Sequence, residues 1–337
     1  MSSIKVAIIG ASGYTGLELV KLILNHPVFE IGYLATSSGD TTISKLHPAL
    51  DGIVDFNVDI VDYDKIANSV ELAFLALPHK SAMSVAKELL KRDVKVVDLS
   101  ADYRLDLDVY EKTYCLHEDK DNLTHSVYAL IEYYKDELKG AKLAAGPGCY
   151  PTATLLGLLP FVPYLQEGSA IIVDAKSGVS GAGKKLTEAN TFVNINENIF
   201  AYNPLKHRHA PEIKEKIKKL YNKEFSINFV PHLIPATRGE LVSVYATLKD
   251  DIEPLDILKE HYKDSPFIRV RENPVNIKDV SGTHFCDIFA TKNENTLFIS
   301  SAIDNLLRGA SSQALVAANL MMGLDENIGV PTIAYVP

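Results

Sequence analysis

The chain has 337 residues, 47% of them hydrophobic and 23% charged. That suits a globular protein of two domains and exceeds what one ordinary core organises. With 43 acidic residues against 34 basic ones the formal net charge is -9, which excludes an extended nucleic-acid or anionic-membrane surface as the main working face. Three widely separated cysteines, Cys115, Cys149 and Cys286, lack the spacing of a disulfide framework or a zinc site. A cytoplasmic location is therefore expected, with one thiol open to a chemical role.

Ile4 to Ile9 is a short β-branched run ending at glycines and predicts a buried parallel strand. It is too short for a signal or membrane segment, and no targeting signal is read. Leu17 to Leu24 has helical spacing. Phe29 to Leu34, Val70 to Leu77 and Val94 to Leu99 read as further strands, with a helix from Ser81 to Lys91. Alternating strands and helices predict a doubly wound parallel sheet. Leu143 to Ala145 is its expected last strand. Beyond residue 148 the texture changes. Thr152 to Leu159 reads as a helix. The segments 170–175, 225–231, 241–248, 267–270, 286–291 and 296–301 then read as strands with few helices between them. That predicts an α+β second domain with a mostly antiparallel sheet. Leu306 to Leu324 is a long apolar helix. The boundaries expected are 1–148 for the first domain, joined by a C-terminal helical segment 305–337, and 149–304 for the second.

Four motifs carry chemistry. Gly10-Ala11-Ser12-Gly13-Tyr14-Thr15-Gly16 lies between a predicted strand and a predicted helix. Glycines there permit a tight turn and a close approach of a pyrophosphate to the helix N-terminus. The second strand ends in Thr36-Ser37-Ser38, with no acid to bind ribose hydroxyls, so NADP is favoured over NAD. Gly146-Pro147-Gly148-Cys149-Tyr150-Pro151 places Cys149 just before a helix that Pro151 is expected to open, where a thiolate is stabilised. The plain alternative is a small buried hydrophobe, which Cys115 and Cys286 are expected to be. Lys206-His207-Arg208-His209-Ala210-Pro211 gathers cationic and titratable groups before a second helix, expected to start at Pro211. Such a cluster binds anions and supplies an acid or base. No further ligands accompany the histidine pair, so a metal is not expected. Lys176 to Lys185 is a small-residue loop with two hydroxyls and a lysine pair, able to cradle phosphate or cover a nicotinamide. Asp98 to Arg104, and Leu75 to His79 with Pro78, follow predicted strands and fall at the ligand-binding edge of the sheet.

Together these segments resemble the N-acetyl-gamma-glutamyl-phosphate reductase family, which belongs with the aspartate-semialdehyde dehydrogenases. The resemblance spans nearly the whole chain: GASGYTG, LPH, DLSADYRL, PGCYPTA, SGVSGAG, KHRHAPEI, PHLIPATRGEL and NLLRGASSQALVAANLMMGL, in that order. It implies a Rossmann-type first domain, a catalytic and dimerisation second domain, and an assembly of two or four chains. It also implies NADPH-dependent reduction of an acyl phosphate to an aldehyde in arginine biosynthesis. The family's nucleophile carries over to Cys149 and its acid/base to His207 or His209, between which the sequence does not choose. Cofactor contacts are implied for Gly10, Ser12, Gly13, Tyr14, Thr15 and Gly16. Ser37, Ser38, Pro78, Ser177, Gly178, Ser180, Gly181 and Asn305 complete the expected cofactor set. Substrate contacts are expected from Arg104, Arg208, Ser180 and Lys184. At Ser312, where glycine is common in the family, a side chain near the cofactor is expected. A lysine-pathway reductase acting on a carrier-protein-bound substrate shares the chemistry, but needs a basic docking face that this acidic chain does not advertise. A non-catalytic NADP-binding regulator would not need Cys149 beside an HRH cluster.

Overall fold

A computed structural model describes residues 3–335. They fall into two compact units, Met1–Pro147 with Ala310–Pro331, and Gly148–Gly309 with Thr332–Pro337.

In the first unit β1 (Ile4–Ile9), β2 (Phe29–Ala35), β5 (Leu72–Leu75), β6 (Lys95–Asp98), β7 (Val127–Tyr128) and β8 (Leu143–Ala145) build one sheet. Two short strands, β3 (Thr41–Thr42) and β4 (Asn57–Val58), pair separately. The order across the main sheet is β2-β1-β5-β6-β8-β7, and each neighbouring pair is parallel. Parallel strands are covered on both faces, which explains their unbroken apolar runs. Ile9, Ala73, Leu75, Val96 and Ala145 pack with Ala82, Met83, Ala86 and Leu89 of the helix Ser81–Leu90 in one buried cluster. The helix Tyr14–Leu24 follows β1 directly.

The second unit carries β9 (Ala170–Gly178), β10 (Phe200–Ala201), β11 (Ser226–Ile234), β12 (Glu240–Thr247), β13 (Ile268–Val270), β14 (Cys286–Asn293) and β15 (Thr296–Ile303). Their order is β10-β11-β9-β12-β15-β14-β13. β9 with β11 and β13 with β14 are parallel; the other neighbours are antiparallel. This is the α/β plus α+β arrangement read from the sequence.

The C-terminal segment departs from the expectation of one helix over residues 306–324. A π-helical turn, Leu307–Ser311, precedes a shorter α-helix, Ser312–Met321. The chain passes from the second unit to the first at Gly309–Ala310, and the described residues from Thr332 onward return to the second. Residues 336 and 337, the end of the expected 305–337 segment, lie outside the described residues. Ser312 is fully buried within the α-helix, where the sequence reading expected a side chain near the cofactor. No helix among the described residues is long and apolar enough to cross a membrane.

Candidate active site

In the first unit the glycine motif turns β1 into the following helix. Gly10 has φ +96°, and a Cβ built there would lie 2.2 Å from the Ala76 carbonyl oxygen. A Cβ at Gly16 would lie 2.3 Å from the Gly10 oxygen. These two glycines are therefore required by the protein's own backbone. Gly13 is different: a Cβ there would meet only the Gly10 oxygen, at 3.7 Å. Gly13 caps the helix without a side chain, and its first turn holds no acid. The space over Gly13 and the positive end of the helix fit a pyrophosphate. Ser12, Tyr14 and Thr15 line this same turn. Ser37 and Ser38 are exposed at the carboxyl end of β2 and Pro78 at that of β5. Thr36 is committed elsewhere: it is buried, and its Oγ1 accepts the Gly39 N–H at 3.1 Å.

Arg104, expected to hold a substrate anion, is buried and donates to the Gly146 carbonyl at 2.6 Å and the Leu99 carbonyl at 2.8 Å. It ties the segment after β6 to the segment after β8. Beside it Asp98, fully buried, accepts from the Ser100 N–H and hydroxyl. Burial pushes its carboxyl up to about 7.

In the second unit Cys149 is the first residue of the helix Cys149–Leu158, with Gly148 as its cap. His209 is likewise the first residue of the helix His209–Tyr221. Both helices begin two residues earlier than the prolines suggested. The N–H groups of a first turn have no helical partner, so a proline is tolerated at its third position as well as its first. The two helix starts are joined: the Gly148 N–H donates to Oε1 of the buried Glu212 at 3.0 Å. The His209 imidazole consequently lies on Gly148, where a Cβ would meet Nε2 at 2.7 Å and Cε1 at 3.0 Å. From the other side Gly309, in the π-helical turn, packs on Cys149; a Cβ there would stand 2.7 Å from the Cys149 Cβ. Glycine at 148 admits the histidine, and glycine at 309 admits the cysteine.

The two histidines are not equivalent. His207 sits among the rings of Tyr150, Tyr202, Phe229 and His209, at centroid distances of 4.7–5.9 Å. Its Nδ1 accepts the His209 N–H at 3.3 Å. Burial, with a contribution from Arg208, lowers it to about 4. His207 is thus held neutral by its packing, while the His209 imidazole lies on Gly148, the residue before Cys149. Arg208 is exposed at the cap of the second helix. His232 is engaged with Asp174 and the Ala175 carbonyl, both at 3.2 Å.

The loop after β9 is pinned rather than loose. Val179 and Ser180 N–H groups donate to Ala236 and Thr237 carbonyls. A Cβ on Gly178 would strike Ala236 O and Arg238 N at 2.8 Å, and one on Gly181 the Ser177 Oγ at 2.7 Å. Asn305, expected at the cofactor, is buried and bridges the Gly239 N–H (2.8 Å) and the Ser180 hydroxyl (3.0 Å). It fixes the loop. Lys184 and Gly181 are exposed, and Ser180 is half-buried.

The sequence reading passed over Glu240, which is fully buried with both carboxylate oxygens lacking a hydrogen-bond partner. Its signal was available: it shares the buried face of β12 with Val242, Val244 and Ala246, and an acid on such a face is rare unless it has a task.

Comparison with known proteins places this geometry. Residues 5–141 match the semialdehyde dehydrogenase NAD binding domain, and residues 149–305 the semialdehyde dehydrogenase dimerisation domain. The N-acetyl-gamma-glutamyl-phosphate reductase of Sulfurovum sp. is 67% identical, covering 99% of this chain and all of its own. That of Wolinella succinogenes is 57% identical, with both chains fully covered. The solved aspartate semialdehyde dehydrogenase II of Vibrio cholerae, crystallised with ASA, has a TM-score of 0.72 at 16% identity. It covers 96% of this chain and 99% of its own, a likeness of fold. The chain belongs to the N-acetyl-gamma-glutamyl-phosphate reductase family.

Proposed function

We propose that this chain reduces N-acetyl-gamma-glutamyl phosphate to N-acetyl-glutamate semialdehyde, releasing phosphate, through a thioester on Cys149. The observation that carries the reading is the seating of the His209 imidazole on Gly148, the residue before Cys149. A thiol and an imidazole at adjoining helix starts are the parts that acyl transfer needs.

The Cys149 sulfur, as thiolate, attacks the acyl carbon and phosphate leaves. The positive end of its helix favours the charged sulfur. Gly10, Ser12, Gly13, Tyr14, Thr15 and Gly16 would hold the pyrophosphate of NADP(H), with Ser37 and Ser38 toward the 2′-phosphate and Pro78 beside them. Ser177, Gly178, Ser180 and Gly181 form the fixed loop proposed to meet the nicotinamide end, with Asn305 holding it. When bound, the cofactor would supply hydride to the thioester carbon. His209 donates a proton to the carbonyl oxygen and takes it back as the hemithioacetal collapses, so that the sulfur leaves as thiolate and the aldehyde is freed. Arg208 and Lys184, both exposed cations, are the proposed anchors for substrate anions, with Ser180 as a hydroxyl partner.

Three separated cysteines with no disulfide among them support a cytoplasmic location, and the match of residues 149–305 to a dimerisation domain supports a homo-oligomer acting on a small molecule. The test runs the reaction backwards: protein with N-acetyl-glutamate semialdehyde, phosphate and NADP+ should generate NADPH absorbance, and Cys149→Ala should generate none. Absorbance growth that survives Cys149→Ala would refute the covalent route.

A further inference from the structure

Glu240 opens β12 on the side turned to the interior. A buried carboxyl without partners costs free energy, and an apolar side chain of its size would serve stability better. Its surroundings show what it faces. Across the sheet its register partners are Ser177 on β9 and Ile303 on β15, and the Ser177 hydroxyl is turned to the Gly178 carbonyl. The titratable groups acting around it are Cys149 and Tyr150 of one helix, and Tyr202 just after β10. The two phenols bond each other at 3.1 Å, and Tyr150 also donates to the His232 carbonyl at 3.4 Å. Burial holds both phenols above their ordinary range, so they keep their protons. A Cβ on Gly309 would meet both the Cys149 Cβ at 2.7 Å and Cδ1 of Ile303, the register partner of Glu240, at 3.4 Å, which puts Cys149 on the Glu240 side of the sheet; the Cys149 thiol is the side chain that pulls the carboxyl's ionisation down.

We infer that Glu240 and Cys149 form a proton-sharing pair, in which the Glu240 carboxylate accepts the thiol proton and the resulting acid holds the thiolate by hydrogen bonding. The inference rests on the reading of Cys149 as nucleophile. In the transfer the S–H bond breaks, its electron pair stays on sulfur, and an O–H bond forms on Glu240. The pair's net charge is unchanged, which matters where charge cannot be solvated. Burial raises the carboxyl to about 8, with the Cys149 contact pulling it back. Near neutral pH that carboxyl holds its proton, and loss of one proton from the pair leaves a single proton shared between carboxylate and thiol. When the sulfur departs at the end of the reaction, the proton returns. This division leaves His209 for the carbonyl oxygen alone. Because the two groups are coupled, their ionisations belong to the pair.

The test is the rate of Cys149 alkylation by iodoacetamide on the full chain, without substrate, followed from about pH 5 to pH 10. Wild type should show two ionisations. Glu240→Gln, which keeps the shape and loses the proton affinity, should show one, with alkylation near neutral pH slowed about 100-fold, the lower end of acid–base effects. A Glu240→Gln profile superimposable on wild type would overturn the inference. Glu240→Met is measured in parallel; should the glutamine variant fail to fold, the same two outcomes are read from it. If wild-type Cys149 is labelled no faster than Cys115 and Cys286, the nucleophile reading fails and this inference with it.

Discussion

Replacing Gly148 by alanine tests how the acid/base is positioned without touching either reacting side chain. Gly148 has φ -65° and ψ 153°, a conformation any residue adopts, so the backbone carries no strain from the change. The new methyl would stand 2.7 Å from His209 Nε2, and 3.0 Å from both His209 Cε1 and Pro151 Cδ. Non-bonded contacts settle near about 3.5 Å, so the imidazole must retreat by roughly 0.8 Å. A misplacement of about 1 Å costs on the order of 100-fold in rate; kcat should therefore fall roughly 30- to 100-fold. Stability should change by less than about 1 kcal/mol, because the lost chain entropy of glycine offsets the crowding. The assay is kcat and KM for Gly148→Ala, His209→Asn and the double variant. With the imidazole gone the methyl has little left to displace, so the double variant should match His209→Asn within about 3-fold. Wild-type kcat in Gly148→Ala would refute the reasoning. So would an equal loss with and without His209, since the damage would then lie in the helix start.

Three further outcomes are expected. His209→Asn should lower kcat by about 100-fold or more, whereas His207→Asn should keep kcat within about 10-fold and lose roughly 1–2 kcal/mol of stability from its ring packing, read by steady-state kinetics and thermal denaturation. Ser38→Asp should weaken NADPH binding at least about 10-fold and improve NADH binding, by repelling the 2′-phosphate and accepting ribose hydroxyls; fluorescence titration with each cofactor decides it. Glu240 ionises at about 8 in the folded chain against an ordinary 4.5, so the stability it contributes is present below about pH 4.5 and lost as pH rises through 8. The Tm advantage of Glu240→Met over wild type should accordingly widen between those limits, and a constant difference across them would count against a buried, titrating Glu240.

The alternation of strands and helices was legible because parallel strands leave unbroken apolar runs and antiparallel ones follow each other directly. Helix starts were misplaced by two residues at Cys149 and His209 for one reason: proline marks the first turn, not its first residue. The roles of His207 and His209 were not legible, because residues two apart in an extended reading share a side. What separates them is the packing of Tyr202 and Phe229 on His207, since Tyr150 lies 5.9 Å from both imidazoles; these rings come from distant parts of the chain. Arg104 and Asn305 were read as ligand contacts for their chemistry, and the fold adds partners of its own: two backbone carbonyls for Arg104, and the Gly239 N–H and Ser180 hydroxyl for Asn305. A local pattern does not reveal such partners. Glu240 was legible by strand alternation alone and was hidden inside a motif read as a whole.

The central claim is an acyl group carried on Cys149. Mixing the protein with N-acetyl-gamma-glutamyl phosphate in the absence of NADPH, quenching with acid and sequencing the labelled peptide by mass spectrometry tests it most directly. The account predicts a burst of one phosphate per chain and an N-acetyl-glutamyl adduct on the peptide containing Cys149. Phosphate release with no adduct, or an adduct on Cys115 or Cys286, would contradict it.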